Sequence, residues 1–426
     1  MREGEPDDVA LAAPLAGKTV AVVHAAWHSC GSSQVNRSQL EAYKALGART
    51  ISIAMMDVLT PPAPDGGRWP AYIAATPELA ADARYFTGPP RDSLWKSPLL
   101  IDGWWPLIHG DQATWLVELA KRAPLPEGLA QERVDLVHAN HYFTIPLARK
   151  LGGDKPPPII LETQDIQARQ YVLRNQGGFF IPPLARYEDM LAVELYWTGK
   201  AELCAHLNAE ERQEFARLLP KSRHALIYPA VPPAPLARHP AEIALVASDN
   251  YANFVSLRWF LQEVLPLAGP IPVAIYGNID AGVKNRDKML YESRRALFKG
   301  RVADLGAVYD RAAAILLPTV EGHGLSIKAV EALSSGAPLI ATRQAFRGMS
   351  VDPATLANVT VCDESPAFAA ALRARWEALS AGKAEPARPD ADTRKLYEAS
   401  FSAGAYARAL AREIAPLFHR ARPCET

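Results

Sequence analysis

Two α/β units, each a parallel sheet with helices on both faces, are what this 426-residue sequence predicts. Three observations predict them. Short apolar runs alternate with helical patterns from end to end, as parallel strands joined by crossover helices require. The alternation halts at a proline-dense stretch, "YPAVPPAPLARHP" at residues 228–240, and then restarts. The length exceeds one ordinary core and suits two.

The elements follow in order. Residues 18–25, "KTVAVVHA", read as a buried strand, and residues 37–47 as a helix. In that helix Leu40, Tyr43, Ala45 and Leu46 make the apolar face, and Gly47 is the stop. Residues 49–55, 133–139 and 157–163 read as further strands. Residues 57–133 are rich in Pro and Trp and poorly periodic, and no element is placed there. The expected first domain spans residues 1–231, with a linker at 232–240 whose prolines forbid regular structure. The second domain, 241–400, holds strands at 242–248, 271–277, 312–318 and 337–342, with helices at 254–268 and 326–336. A loop at 381–395 precedes a last helix, in a tail domain of residues 401–426. The halves are thus Rossmann-like and expected to face a cleft, with ligands beyond the carboxyl ends of the strands.

Composition excludes other classes. Formal net charge is +0, from 46 basic and 46 acidic residues, which argues against nucleic acid as the main partner. Cys30, Cys204, Cys362 and Cys424 form no C-x-x-C pair and read as reduced structural thiols. The acidic, polar N-terminus lacks the apolar core of a signal peptide, and no stretch approaches the ~20 apolar residues of a membrane span. A cytoplasmic location is expected. The apolar stretch "GGFFIPPLA" at 177–185 reads as a buried loop, with a membrane-surface patch as the rival reading.

Residues 318–342, "PTVEGHGLSIKAVEALSSGAPLIAT", carry the chemistry. A helix start exposes unpaired N–H groups and about half a positive charge, and glycine lets an anion approach that backbone. Gly322, His323, Gly324, Leu325 and Ser326 sit at such a start, with Lys328 one turn in. They suit a diphosphate. Glu331 lies ten positions after Glu321 and suits two ribose hydroxyls, unless it is a solvated helix charge and Glu321 a cap.

This stretch resembles the donor-binding signature of GT-B glycosyltransferases, in particular the bacterial family 4-like, retaining group with two glutamates. "LVASDNYANFVSLRWFLQEVLP" resembles the start of that group's donor domain, and "FKGRVADLGAVYDRAAAILLP" its following run. "HLNAEERQEF" resembles the segment before the linker, and "KTVAVVHAAWHSCGSSQVNRSQLEAYKALGA" the first strand, glycine loop and helix. The resemblance implies the GT-B fold, with a C-terminal helix packing back on the first domain. It implies transfer of a sugar from a nucleoside diphosphate to a carbohydrate or lipid-linked acceptor, in surface or exopolysaccharide synthesis, without metal or cofactor. Glu321, His323 and Lys328 take the catalytic positions. Gly277, Gly322, Gly324, Leu325, Ser326 and Glu331 lie on the donor side, and the backbone of Arg301 and Val302 meets the base. Gly31 and Ser32 form a first-domain loop facing the phosphates or the acceptor. The loop at 248–254 carries no cation, so Lys328 first, then Lys284, Arg286 and Arg301, are expected to serve the diphosphate. A nucleotide-sugar 2-epimerase on the same fold and a non-catalytic glycan- or nucleotide-binding module are the rivals.

On the acceptor side, His138 and His141 follow a buried strand, as proton-transfer groups or as core hydrogen-bonding histidines. Asp165 is a general base or the N-cap of the following helix. His24 and His28 flank a loop with Trp27, Cys30 and Gly31, where Cys30 has no paired histidine to make it a nucleophile. Trp95, Trp104, Trp105 and Trp115 are sugar-stacking platforms or packing. Peripheral membrane contact is the remaining partner expectation.

Overall fold

The computed structural model describes residues 13–28, 31–59, 68–91, 99–153, 156–176, 179–322 and 324–419; His323, Cys30, Trp95, Gly177 and Cys424 lie outside them. The chain divides into two compact units, residues 1–229 with 406–426, and residues 230–405.

The first unit holds seven parallel strands: β1 (Thr19–Ala25), β2 (Arg49–Met55), β3 (Ala83–Thr87), β4 (Leu136–Asn140), β5 (Ile159–Glu162), β6 (Leu203–His206) and β7 (His224–Leu226). Their order is β3-β2-β1-β4-β5-β6-β7. β1 and β4 are central and buried along nearly their whole length, which is why both read as continuous apolar runs rather than alternating ones. β3 and α2 (Gln112–Arg122) come from the stretch where no element was expected. α1 (Gly31–Ala45) begins at Gly31, not Arg37, so Gly31 and Ser32 form its first turn instead of a free loop. Two π-turns, Leu100–Trp104 and Phe260–Val264, each end two residues before a proline, Pro106 and Pro266. Proline brings no N–H and crowds the carbonyl four residues back, and a wider turn relieves both defects.

α3 (Gln167–Gln176) follows β5, and α4 (Tyr187–Thr198) packs beside it. Glu194 of α4 accepts from the amides of Gln167 and Ala168 at 3.0 and 2.9 Å, so a carboxyl remote in sequence caps α3. Asp165, the expected cap, bonds the side chain of Gln167 instead. Glu211 accepts from the Ile166 amide at 3.4 Å, and Glu194, Glu211 and Asp165 repel one another there. Burial pushes Glu194 up to about 8 and Glu211 to about 7.

The second unit holds β8 (Glu242–Val246), β9 (Val273–Tyr276), β10 (Phe298–Gly300), β11 (Ala312–Leu317), β12 (Leu339–Ala341) and β13 (Val359–Val361), in the order β10-β9-β8-β11-β12-β13. Phe254, Leu257, Phe260 and Phe368 cover one face of this sheet. The proline-rich stretch has no regular structure, but it is a strap seated on this unit. Tyr397 donates to the Val231 carbonyl at 2.6 Å, and the amides of Ala234 and Ala237 bond Ser334 Oγ and the Ser335 carbonyl at 2.8 and 3.0 Å. The C-terminal helix (Ala403–His419) returns to the first unit, as expected for the fold. An Arg223–Glu413 ion pair at 2.8 Å and Lys18 over the Phe418 ring hold it there. A helix at Asp392–Ser400 takes the end of the expected 381–395 loop.

Gly277 ends β9 with φ +109°, and a Cβ there would lie 1.9 Å from the Ala247 carbonyl oxygen. Backbone strain of this kind costs about 1–3 kcal/mol before the clash is added. Gly277→Ala is therefore expected to destabilise the second unit by at least about 2 kcal/mol. Urea unfolding with wild-type stability would mean that this contact relaxes freely.

Stability should also fall as the pH rises from about 6.5 to 8. A carboxyl whose folded pKa lies above its unfolded value binds a proton on folding, so its contribution is complete at low pH and lost through the folded pKa. For Glu194 that window runs from 4.5 to about 8. The buried His24, His138, His141 and His206, pushed down to between about 3 and about 4, act oppositely, but only below their ordinary 6.5. Glu194→Gln, which mimics the neutral acid, should reduce the loss between pH 6.5 and 8 by about 1–2 kcal/mol. Urea midpoints across that range check it; an unchanged slope would mean that Glu194 is ionised in the folded state.

Candidate functional site

Strand order reverses between β8 and β11, so the connections leaving these two neighbours diverge and a crevice opens at their carboxyl ends. A cavity of about 340 Å³ lies there. Leu245 to Ser248 from β8 and Leu316 to Thr319 from β11 form its floor and walls, and Leu325 to Lys328 close one side. The loop after β8 contributes polar, uncharged groups. Asn250 caps α5 (Tyr251–Trp259) by accepting from the Asn253 amide at 2.8 Å, and Asn253 in turn bonds the Ser248 carbonyl at 2.9 Å. Ser256 Oγ, one turn on, accepts from the Val320 amide at 3.1 Å and so ties α5 to the glycine loop.

α7 (Ile327–Ser334) starts at the cavity. Ser326 is its N-cap, accepting from the Ala329 amide at 3.2 Å. Lys328 lines the cavity, yet its ammonium is held by both Glu331 oxygens, at 3.1 and 2.8 Å. Glu331 also accepts from Tyr309 Oη at 3.1 Å. It therefore stands beside Lys328 and off the cavity wall, half-buried, with both carboxyl oxygens engaged in this state. Gly322 and Gly324 adopt φ +131° and +66°, which only glycine holds without strain. Glu321 is exposed and accepts from the Gly322 amide at 3.1 Å.

Several expected donor-side residues stand off this cavity. Gly277 serves the backbone contact with Ala247 described above. Arg301 and Val302 follow β10 and do not line the cavity. Arg286, on α6 (Ile279–Arg286), is paired with Asp249 at 2.6 Å across Gly282, and the Lys284 ammonium lies 6.0 Å over the Tyr291 ring. The cavity instead receives Arg347, from the segment after β12, which the sequence reading missed. Nothing in "TRQAFRG" marks that arginine, because β12 must first be seen beside β11. Lys328 and Arg347 are the charged residues lining the cavity, and no acid lines it among the described residues.

In the first unit the equivalent crevice, between β1 and β4, is filled by side chains. Gln39 and Asn140 exchange two amide hydrogen bonds, at 3.0 and 2.8 Å, and Gln164 donates to Asn140 at 3.1 Å. His138 is fully buried between Tyr43 Oη, at 2.9 Å, and Gln39, at 3.2 Å. Glu162, 3.9 Å from His138 and likewise buried, has no hydrogen-bond partner on either carboxyl oxygen among the described residues. Burial keeps it protonated well above the ordinary range. His141 sits at φ +64°, between Trp27 and Phe143, with Nε2 3.3 Å from Ser32 Oγ. Burial, then Arg174, pushes it down to about 3, so it is a neutral imidazole at neutral pH. Asp165 is raised by burial against its bond from Gln167.

The other candidates scatter. His24 is a buried residue bonded to Ser52 at 2.9 Å, and His28 is exposed. Trp115 packs inside, whereas Trp104 and Trp105 are exposed. Cys204 and Cys362 are buried free thiols. The stretch expected as a buried loop is exposed where it is described, with Phe179, Ile181 and Leu184 in solvent. No helix among the described residues is long and apolar enough to cross a membrane.

Residues 241–377 match the family model described as glycosyl transferases group 1. No curated protein matches the chain in sequence. Among solved structures, the chain is similar to sucrose-phosphate synthase from Thermosynechococcus elongatus, at TM-score 0.58 and 17% identity over 95% of this chain and 100% of that one. It is similar to Anabaena HepE in complex with UDP, at 0.56 and 12% over 94% and 100%. It is also similar to an α,α-trehalose 6-phosphate synthase from Burkholderia multivorans, at 0.53 and 12% over 96% and 100%. At these identities the likeness establishes the fold, two parallel-sheet domains of GT-B type. The chain thus has the GT-B fold, and residues 241–377 of its second unit match a glycosyl transferases group 1 domain.

Proposed function

We propose that the protein moves a hexose-type sugar from a nucleoside-diphosphate sugar to a carbohydrate or lipid-linked acceptor, in surface or exopolysaccharide assembly, with retention at the anomeric carbon. The observation that carries this reading is the 340 Å³ cavity at the strand reversal, walled by a helix start and two cations and free of acids among the described residues. Such a lining suits a diphosphate. The HepE structures with UDP and with UDP-glucose support a nucleotide-sugar donor.

In the transfer, the bond from the anomeric carbon to the diphosphate breaks and its electron pair stays on phosphate oxygen. The acceptor hydroxyl oxygen takes the vacated position, and its proton leaves with the diphosphate. Side chains and the α7 start meet the new charge, so we assign no metal or cofactor. Glu331 accepts from the ribose hydroxyls, with Tyr309 fixing its carboxylate. Lys328 then turns from Glu331 to the phosphates. We assign Glu321 and His323 to the sugar, and Gly31, Ser32, His141 and Asp165 to the acceptor. The first unit takes the acceptor at the cytoplasmic face of a membrane, a placement that the exposed Phe179, Ile181 and Leu184 support.

The test is a panel of nucleotide sugars, scoring hydrolysis, epimerisation and transfer separately. Transfer, or slow hydrolysis without acceptor, is expected. Epimerisation alone would replace this reading with the isomerase, and binding without turnover with the glycan- or nucleotide-binding module.

Two substitutions probe the site. Glu331→Gln should weaken binding of the cognate nucleoside diphosphate by about tenfold to a hundredfold, because a charge-assisted hydrogen bond is worth about 1.5–3 kcal/mol. Unchanged calorimetric affinity across all nucleoside diphosphates would remove Glu331 from the site. Lys328→Ala should lower turnover more than it raises the donor KM, since charge on the diphosphate is greatest in the transition state. Steady-state kinetics in which only KM rises would make Lys328 a ground-state contact.

A further inference from the structure

We propose that Arg347 is a catalytic residue, the guanidinium that grips the donor diphosphate, and that the chain thereby selects diphosphates over monophosphates. The proposal rests on the donor reading above and adds a second cation beside Lys328.

Few of the second unit's expected cations reach the cavity. Arg286 is held by Asp249, and Arg301 and Lys284 do not line the cavity. Lys328 does line it, but in this state its charge is matched by Glu331, 2.8 Å away. Arg347 is the other cation on the wall. β12 is parallel to β11 and pairs with it, so both strands end at the same edge of the sheet. The segment that leaves β12 is thereby delivered beside the glycine loop that leaves β11, with Thr342 Oγ1 bonded to the Thr319 carbonyl.

The contact that follows is close and specific. Gln344 Nε2 donates to the Gly322 carbonyl at 3.1 Å, and Arg347 Nη1 donates to the Gln344 carbonyl at 3.3 Å. A Cβ on Gly322 would lie 2.9 Å from Arg347 Nη2. Glycine is needed at 322 for its φ of +131°, and its missing side chain leaves the space that the guanidinium occupies. Gln344 and the glycine loop set where the arginine stands, between that loop and the cavity. A guanidinium is planar, permanently charged, and presents paired N–H donors that match two phosphate oxygens at once.

The test is calorimetric titration of the full-length protein with UDP, ADP and GDP and the matching monophosphates, for wild type, Arg347→Gln and Arg347→Lys. Arg347→Gln should weaken binding of the preferred diphosphate by about tenfold or more, with its monophosphate affected by less than about twofold. Arg347→Lys should restore part of the loss. Should Arg347→Gln fold poorly by thermal melting, Gly322→Ala, whose Cβ displaces the guanidinium, is expected to reproduce the selective loss. Undiminished diphosphate affinity in the variants would overturn the proposal. Equal losses for mono- and diphosphate would also overturn it, by making Arg347 a structural residue of the loop. A loss confined to a uronate-bearing sugar nucleotide, absent with the bare diphosphate, would reassign Arg347 to the sugar and overturn it as stated. Wild-type protein that binds no nucleoside diphosphate would sink the donor reading itself, and this proposal with it.

Discussion

Between β8 and β11 two parallel neighbours send their connections in opposite directions, and the backbone past their carboxyl ends is left without a covering element. The second unit is organised around that opening. The loop after β8 is spent on capping α5, through Asn250 and Asn253, and on bonding the end of β9, where the Asn278 side chain accepts from the Asp249 amide at 3.0 Å. The loop after β11 turns through two left-handed glycines so that the start of α7 faces the opening. Leucines from both strands make the floor apolar, which strengthens every charge placed on the rim.

The first unit meets the same topological problem with the opposite solution. Its strand order also reverses, between β1 and β4, but the gap is closed by the reciprocal amide pair of Gln39 and Asn140. Buried amides satisfied by one another are rigid and specify a single arrangement. His138 is absorbed into that network as a hydrogen-bonding spacer. Its outer edge keeps an unusual backbone, with positive φ at His141 and at Gln164, and His141 Nδ1 has no partner among the described residues. One sheet edge is thus plugged and the other open.

Charge in the second unit is arranged in balanced pairs: Arg286 with Asp249, Lys328 with Glu331, Arg343 with Asp352. Ion pairs of this kind add little to stability when they are partly solvated. Lys328 and Glu331 differ from the others in standing at the cavity, where both Glu331 oxygens hold the ammonium and Tyr309 bonds the same carboxylate.

What the sequence determined by itself is local or periodic. The buried runs of β1, β4, β8 and β11 are legible because strands covered on both faces need apolar residues at every position. The glycines at 322 and 324 and the cap at Ser326 are legible because a sharp turn into a capped helix start needs those residue types within a few positions. Tertiary structure alone decided the rest. Glu194 caps α3 from a separate helix, and the strap at 230–240 is fixed by Tyr397 and Ser334, far along the chain. Arg347 reaches the cavity only because β12 pairs with β11. In each case the deciding contact joins segments that are distant in sequence, and local pattern carries no information about which distant segment the packing of the sheet will bring alongside.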